Sequence, residues 1–201
     1  MKRKIVIATM NDHKVSEIRA LIGDRYNVMT QSSFSIPSVS ETGKTFEENA
    51  LIKANAVSKK TGLLTLADDS GLEVDLLEGS PGVYSARYAG PNATDEENNN
   101  KLLMELENFK DERVTARFKT VIVLEDPLEG SKNIFHGNWE GQIIFNPRGK
   151  NGFGYDPLFY IDKLERTAAE LSQDEKNKLS HRAIAMRKVT NHLAKENYEI
   201  K

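Results

Sequence analysis

Apolar residues enter this chain in two rhythms, as short unbroken runs and as stripes spaced three and four apart. Ile5-Val6-Ile7-Ala8 is a run, and Val15, Ile18, Leu21 and Ile22 follow at helical spacing, so the opening reads strand, loop, helix, with Thr9 to Lys14 as the loop. Thr45 to Lys60 reads as a helix, because Thr45-Phe46-Glu47-Glu48 has the form of a capping box and Gly62 stands just past the end. Leu63 to Ala67 then predicts a strand, Ser70-Gly71 a turn, and Leu72 to Leu76 a second strand. Glu78 to Ala93 holds several glycines and prolines together with Val83, Tyr84 and Tyr88, the mark of an ordered loop packed on the body. Asp95 to Leu106 predicts a helix with an acidic first turn, and Val114 to Glu125 and Ile134 to Phe145 predict long strands. A glycine-rich loop, Gly149 to Asp156, precedes the strand Leu158 to Ile161. Ser172 to Glu175 is a further capping box, and the last helix runs from about Ser180 to near Glu196. Strands interleaved with helices, followed by adjacent long strands, predict an α/β fold built on a mixed, curved sheet with flanking helices.

The chain has 201 residues, enough for one domain of two lobes at most, and shows no internal repeat. Thirty acidic residues against 28 basic ones leave a formal charge of -2, so no basic field is present to hold a nucleic-acid backbone. Phosphate chemistry must use locally gathered cations. Cysteine is absent, which excludes disulfides, thiolate metal sites and cysteine nucleophiles and fits a reducing compartment. The apolar run behind Lys2-Arg3-Lys4 is too short for a secretory signal, and no stretch approaches a membrane span, so a cytoplasmic location is the expectation.

Five segments are candidates for chemistry. Thr9 to Lys14 joins a strand to a helix N-terminus, where unpaired N–H groups and Lys14 suit phosphate; an ordinary connection capped by Asn11 is the plainer reading. On the next helix Asn49, Ala50, Lys53 and Val57 all fall within roughly 60° of Phe46, so an amide and a lysine share the apolar face. A buried ammonium requires partners, so Lys53 should meet carboxylates or a bound anion unless it snorkels to the helix edge. Asp68-Asp69-Ser70-Gly71 ends an apolar strand and offers hard oxygen ligands suited to Mg²⁺; alternation lets one aspartate face a given side, and spacing alone leaves open which. In the loop Gly149 to Asp156, glycines permit close backbone approach while Phe153 and Tyr155 offer ring faces to a planar base; a hairpin turn is the alternative. His181 and Arg182 sit at a helix N-terminus, the poorer end for cations, where Arg182 could pair with Asp174 or Glu175.

In chain order these segments resemble the inosine triphosphate pyrophosphatase family. The resemblance rests on Thr9-x-Asn11-x-x-Lys14, Glu41-Thr42-Gly43-x-Thr45-Phe46-x-Glu48-Asn49-Ala50-x-x-Lys53-Ala54, Ala67-Asp68-Asp69-Ser70-Gly71-Leu72, Pro81 to Tyr88, Gly152-Phe153-Gly154-Tyr155-Asp156-Pro157 and Ser180-His181-Arg182. It covers nearly the whole chain as one ITPase-like domain, residues 1–201, with His13 where many members have a smaller residue. It implies an elongated, two-lobed homodimer with a nucleotide cleft, hydrolysing ITP, dITP and XTP to the monophosphate and pyrophosphate and so cleaning the nucleotide pool. Glu41 and Asp69 would be the Mg²⁺ carboxylates and Asp69 the general base, with Lys14 and Lys53 neutralising the triphosphate. Thr9, Asn11, Ser70, Phe153, Gly154, Tyr155, Asp156, Lys176, His181 and Arg182 match substrate-binding positions, the later ones reading the base. A nucleotide-sensing module is the rival, and it gives no use for Glu41 and Asp69.

Overall fold

The computed structural model describes residues 2–195. Strand β1 (Lys4–Ile7) buries Ile5, Val6 and Ile7 and pairs in parallel with β2 (Asn27–Thr30) on one side and β3 (Leu64–Val74) on the other. Parallel neighbours need crossover connections, and two helices supply them. Helix α1 (Asp12–Ile22) links β1 to β2, and α2 (Phe46–Thr61) lies between β2 and β3. Asn11 caps α1 by accepting the Lys14 N–H at 3.0 Å, and Thr45 caps α2 by accepting the Glu48 N–H at 3.1 Å. The Glu48 carboxylate reaches back to the N–H of Lys44 rather than that of Thr45, so the predicted box closes one residue early. Gly62 ends α2 at φ 64°, a left-handed conformation that glycine takes without a Cβ penalty.

Helix α3 (Asp95–Glu105) and helix α4 (Gln173–Leu179) open with complete capping boxes, Thr94 with Glu97 and Ser172 with Glu175. Strands β4 (Val114–Asp126) and β5 (Ser131–Ile143) are joined by four residues, too short for a parallel crossover. β6 (Phe159–Ile161) pairs antiparallel with β5 and with β7 (Arg166–Thr167). The seven strands lie in the order β2-β1-β3-β4-β5-β6-β7, a mixed sheet with flanking helices, as the pattern predicted. Helix α5 (His181–Lys195) matches the expected last helix, whose predicted end near Glu196 falls outside the described residues.

The predicted turn at Ser70-Gly71 is absent, and one strand of 11 residues runs through it. A turn preference is local and weak, and here the side chains that would have sought water find partners inside. Asp68 and Asp69 are held by cations, and the Leu72 N–H is taken by Ser85 Oγ at 2.9 Å. β2, whose Asn27-Val28-Met29-Thr30 makes no apolar run, and β7, only two residues long, were not predicted. β5 begins three residues before the expected Ile134.

The chain divides into two compact units. One takes in the residues up to Asp69, Thr120–Gly137 and the chain from Arg182; the other takes in Ser70–Lys119 and Asn138–His181. In the first, Ile5, Ile7, Leu66, Ile122 and Leu124 meet Ile18 of α1 and Met186 and Val189 of α5. In the second, Leu72, Leu102, Phe118, Trp139, Leu158 and Phe159 form the core. Among the described residues no helix is long and apolar enough to cross a membrane.

Candidate active site

The inner face predicted for α2 is the buried one, with Phe46, Asn49, Ala50, Lys53 and Val57 all inside. Lys53 Nζ donates to Glu41 Oε1 at 2.6 Å, to the Asp68 carbonyl at 2.7 Å and to Asp69 Oδ1 at 2.8 Å. An ammonium has three protons, and all three have acceptors. Burial by itself would lower the Lys53 pKa, but the Asp69 and Glu41 carboxylates outweigh it and hold the lysine charged.

The alternation of β3 sends the two aspartates to different partners. Asp68 Oδ2 pairs with Lys14 Nζ at 2.8 Å, and Asp68 Oδ1 accepts from Arg182 Nε at 3.1 Å and from Thr120 Oγ1 at 2.5 Å. Arg182 is 1% exposed and also pairs with Glu17. Its suggested pairing with Asp174 or Glu175 is therefore wrong, since Glu175 binds Arg166 instead. The cation at the poor end of α5 is explained by two carboxylates contributed by β3 and α1. Lys14 is likewise held by a carboxylate rather than free in solvent.

These neighbours drive the two aspartates apart electrostatically. Burial would raise the Asp68 carboxyl, yet the charges of Arg182 and Lys14 prevail and keep it well below the usual carboxylate range. Burial raises Asp69 above its ordinary value, with Glu41 adding to the rise and Lys53 and Lys14 opposing it. A pair of carboxyls separated in this way can divide labour, one held ionised and the other with a raised affinity for a proton.

Thr9 Oγ1 accepts the Asn11 N–H at 3.2 Å, a bond that shapes the loop ahead of α1. Ser70 follows Asp69 in β3 and is half-buried. In the second unit, Asp156 Oδ2 accepts the Phe153 N–H at 2.9 Å and Lys176 Nζ at 2.5 Å, and that ammonium lies 4.8 Å from the Phe153 ring centroid. Gly152 has φ +77°, and a Cβ there would come within 2.0 Å of Asp156 Oδ2, so only glycine lets this carboxylate sit under the loop. The Tyr155 ring is 3% exposed, with its hydroxyl donating to the Ser85 carbonyl at 2.8 Å, so it packs in the core instead of offering a stacking face. Phe153 remains the half-buried ring of the loop. His181 is buried and stacks on Phe118, with centroids 5.0 Å apart and planes inclined by 16°.

A family model described as the Ham1 family matches residues 5–192. The chain belongs to the Ham1 family. It is 49% identical over 192 residues to a protein of Vibrio cholerae named dITP/XTP pyrophosphatase, covering 93% of this chain and 94% of the relative. A protein of the same name from Bacillus licheniformis is 49% identical over 190 residues, covering 94% and 96%. Among solved structures, a HAM1 protein from Coxiella burnetii matches with TM-score 0.88 and 47% identity over 96% of this chain and 99% of that one. The Staphylococcus aureus Ham1 protein matches with TM-score 0.87 and 44% identity over 96% and 100%.

Within this Ham1 chain, Glu17 and Thr120 had escaped the sequence reading. Glu17 stands one turn from Lys14 on α1, which was the available signal, while Thr120 lies inside the strand expected over Val114 to Glu125 with nothing local to mark it.

Proposed function

We infer that this chain hydrolyses non-standard purine nucleoside triphosphates of the ITP, dITP and XTP kind to the monophosphate and pyrophosphate, and so serves nucleotide-pool housecleaning. The observation that carries the reading is the Lys53 ammonium held between Glu41 and Asp69, in a chain nearly half identical to named dITP/XTP pyrophosphatases.

The donor set suits Mg²⁺. Among the described residues no group of three or more histidines or carboxylates could hold a metal unaided. Mg²⁺ needs fewer protein ligands, commonly one or two carboxylates with water and substrate phosphate completing its shell. Four carboxylates, Glu17, Glu41, Asp68 and Asp69, gather around Lys14, Lys53 and Arg182. Glu41 and Asp69 would hold the ion, which when bound neutralises charge on the phosphates. Lys14, at the start of α1, takes phosphate oxygens, and Lys53 adds charge while keeping Glu41 and Asp69 together. Asp69, its pKa raised by burial, accepts the proton of the attacking water. That water oxygen bonds to the α-phosphorus, the bond from the α-phosphorus to the bridging oxygen breaks, and pyrophosphate leaves.

For the base we propose Phe153 as the stacking ring, with Gly154, Tyr155 and Asp156 shaping its loop, Ser70, Lys176 and His181 as further substrate positions, and Arg182 acting through the carboxylates it holds. Hypoxanthine and xanthine carry a carbonyl at C6, which donors can meet, whereas the adenine amino group would leave buried donors unpaired. ITP should therefore exceed ATP in kcat/KM by roughly 10²-fold or more. Steady-state pyrophosphate release on ITP, XTP, GTP and ATP checks this, and a preference for ATP would overturn the base assignment. EDTA should stop release and added Mg²⁺ restore it; full activity under chelation would rule out the metal. Homodimerisation and a cytoplasmic location belong to the same reading, supported by the family resemblance and the cysteine-free composition. The two units are read as one functional domain, since the chain passes between them inside β3, β4 and β5.

A further inference from the structure

Both polar backbone groups of Gly154 are gripped by one helix. Asp95 Oδ2 accepts the Gly154 N–H at 2.6 Å, and Asn99 Nδ2 donates to the Gly154 carbonyl at 3.0 Å. Asp95 and Asn99 stand one turn apart at the start of α3, so their side chains leave the same face. Gly154 has φ +61° with open space where a Cβ would be, so the glycine answers a backbone need rather than crowding.

The two bonds are also directional. Among the described residues nothing hydrogen-bonds to the buried Asn99 Oδ1, and turning the amide over would set that oxygen against the Gly154 carbonyl. On the other side of the same turn, Asp156 takes the Phe153 N–H and Lys176 sits over the Phe153 ring. Phe153 is consequently fixed through the peptides on both of its sides, and α3, which no motif in the sequence touches, supplies half of the hold.

We propose that Asp95 and Asn99 are positioning residues that, by holding both polar groups of Gly154, set the Phe153 ring for the purine base. This deepens the proposed function and rests on the reading that the Phe153 loop takes the base. Loss of either bond releases the loop without removing a group that touches phosphate, so base binding should weaken while phosphate binding stays.

The test compares Asp95→Ala, Asn99→Ala, Asp95→Asn and Phe153→Leu in the full chain. KM for ITP should rise roughly three- to tenfold in each alanine variant, the range that one net hydrogen bond allows, while kcat holds. Inhibition by inorganic tripolyphosphate, which has no base, should stay at the wild-type level. Asp95→Asn retains an acceptor for the Gly154 N–H and should recover most of the affinity. Amide hydrogen exchange at Gly154 should quicken in Asp95→Ala. If Phe153→Leu raises KM while both alanine variants bind ITP as the wild type does, the grip is overturned. A parallel loss of ITP and tripolyphosphate binding would mark a general structural role and overturn it as well. If none of the variants, Phe153→Leu included, raises KM, the base reading itself fails and takes this inference with it.

Discussion

Asp69→Asn is expected to cut pyrophosphate release by about 10³-fold or more, since a general base alone is worth roughly 10²–10⁴ and this residue also has the position of a metal carboxylate. Asparagine keeps an oxygen for Lys53, so the 2.8 Å bond survives in kind. The remaining charges also balance: Lys53 retains Glu41, and Lys14 and Arg182 retain Asp68 and Glu17. The variant should therefore unfold within a few degrees of the wild type. Saturating ITP and Mg²⁺ with coupled detection of pyrophosphate provides the rate, and a thermal melt provides the control. An undiminished rate in a folded preparation would remove Asp69 from the mechanism.

The largest expected loss of stability belongs to Arg182→Met. Methionine fills much of the volume but leaves Asp68 and Glu17 buried without the guanidinium that spans them. Breaking a buried pair from one side costs about 3–5 kcal/mol, which for a chain of this size lowers Tm by roughly 10 °C. Arg182→Lys should recover part of this, because a point charge cannot span both carboxylates. The sign of the pH dependence follows from Asp68. Its folded-state pKa is depressed, so its ionisation contributes stability above the unfolded value near ~4 and that contribution is lost as pH falls through the lower folded value. In the variant the depression is relieved, so the gap between the two proteins should narrow as pH falls below about 4. Denaturant unfolding at neutral and acid pH measures it; a Tm equal to that of the wild type would show that the network does not support the fold.

The helices were the most legible elements. The apolar stripe of α2, its Thr45 cap and its Gly62 stop are local features, and each stands where the spacing put it. The lysine on that stripe was also visible, since an ammonium on a buried face must have partners whatever the fold. The turn expected at Ser70-Gly71 shows the opposite case, where dipeptide chemistry lost to an uninterrupted strand whose polar groups found internal partners.

What the order of residues determined by itself is therefore the set of elements with strong periodicity or caps, the need of Lys53 for counter-charges, and the Ham1 motifs that mark the chemistry. Tertiary structure alone decided which aspartate meets which cation. Alternation along β3 separates Asp68 from Asp69 but does not say what waits on either side, and only the sheet and its helices bring Lys53 to one and Arg182 to the other. The partners Glu17 and Arg182 are 165 residues apart, and Asn99 and Gly154 are 55 apart. No local propensity encodes such contacts, because their favourable energy exists only after the chain has closed the loops between them.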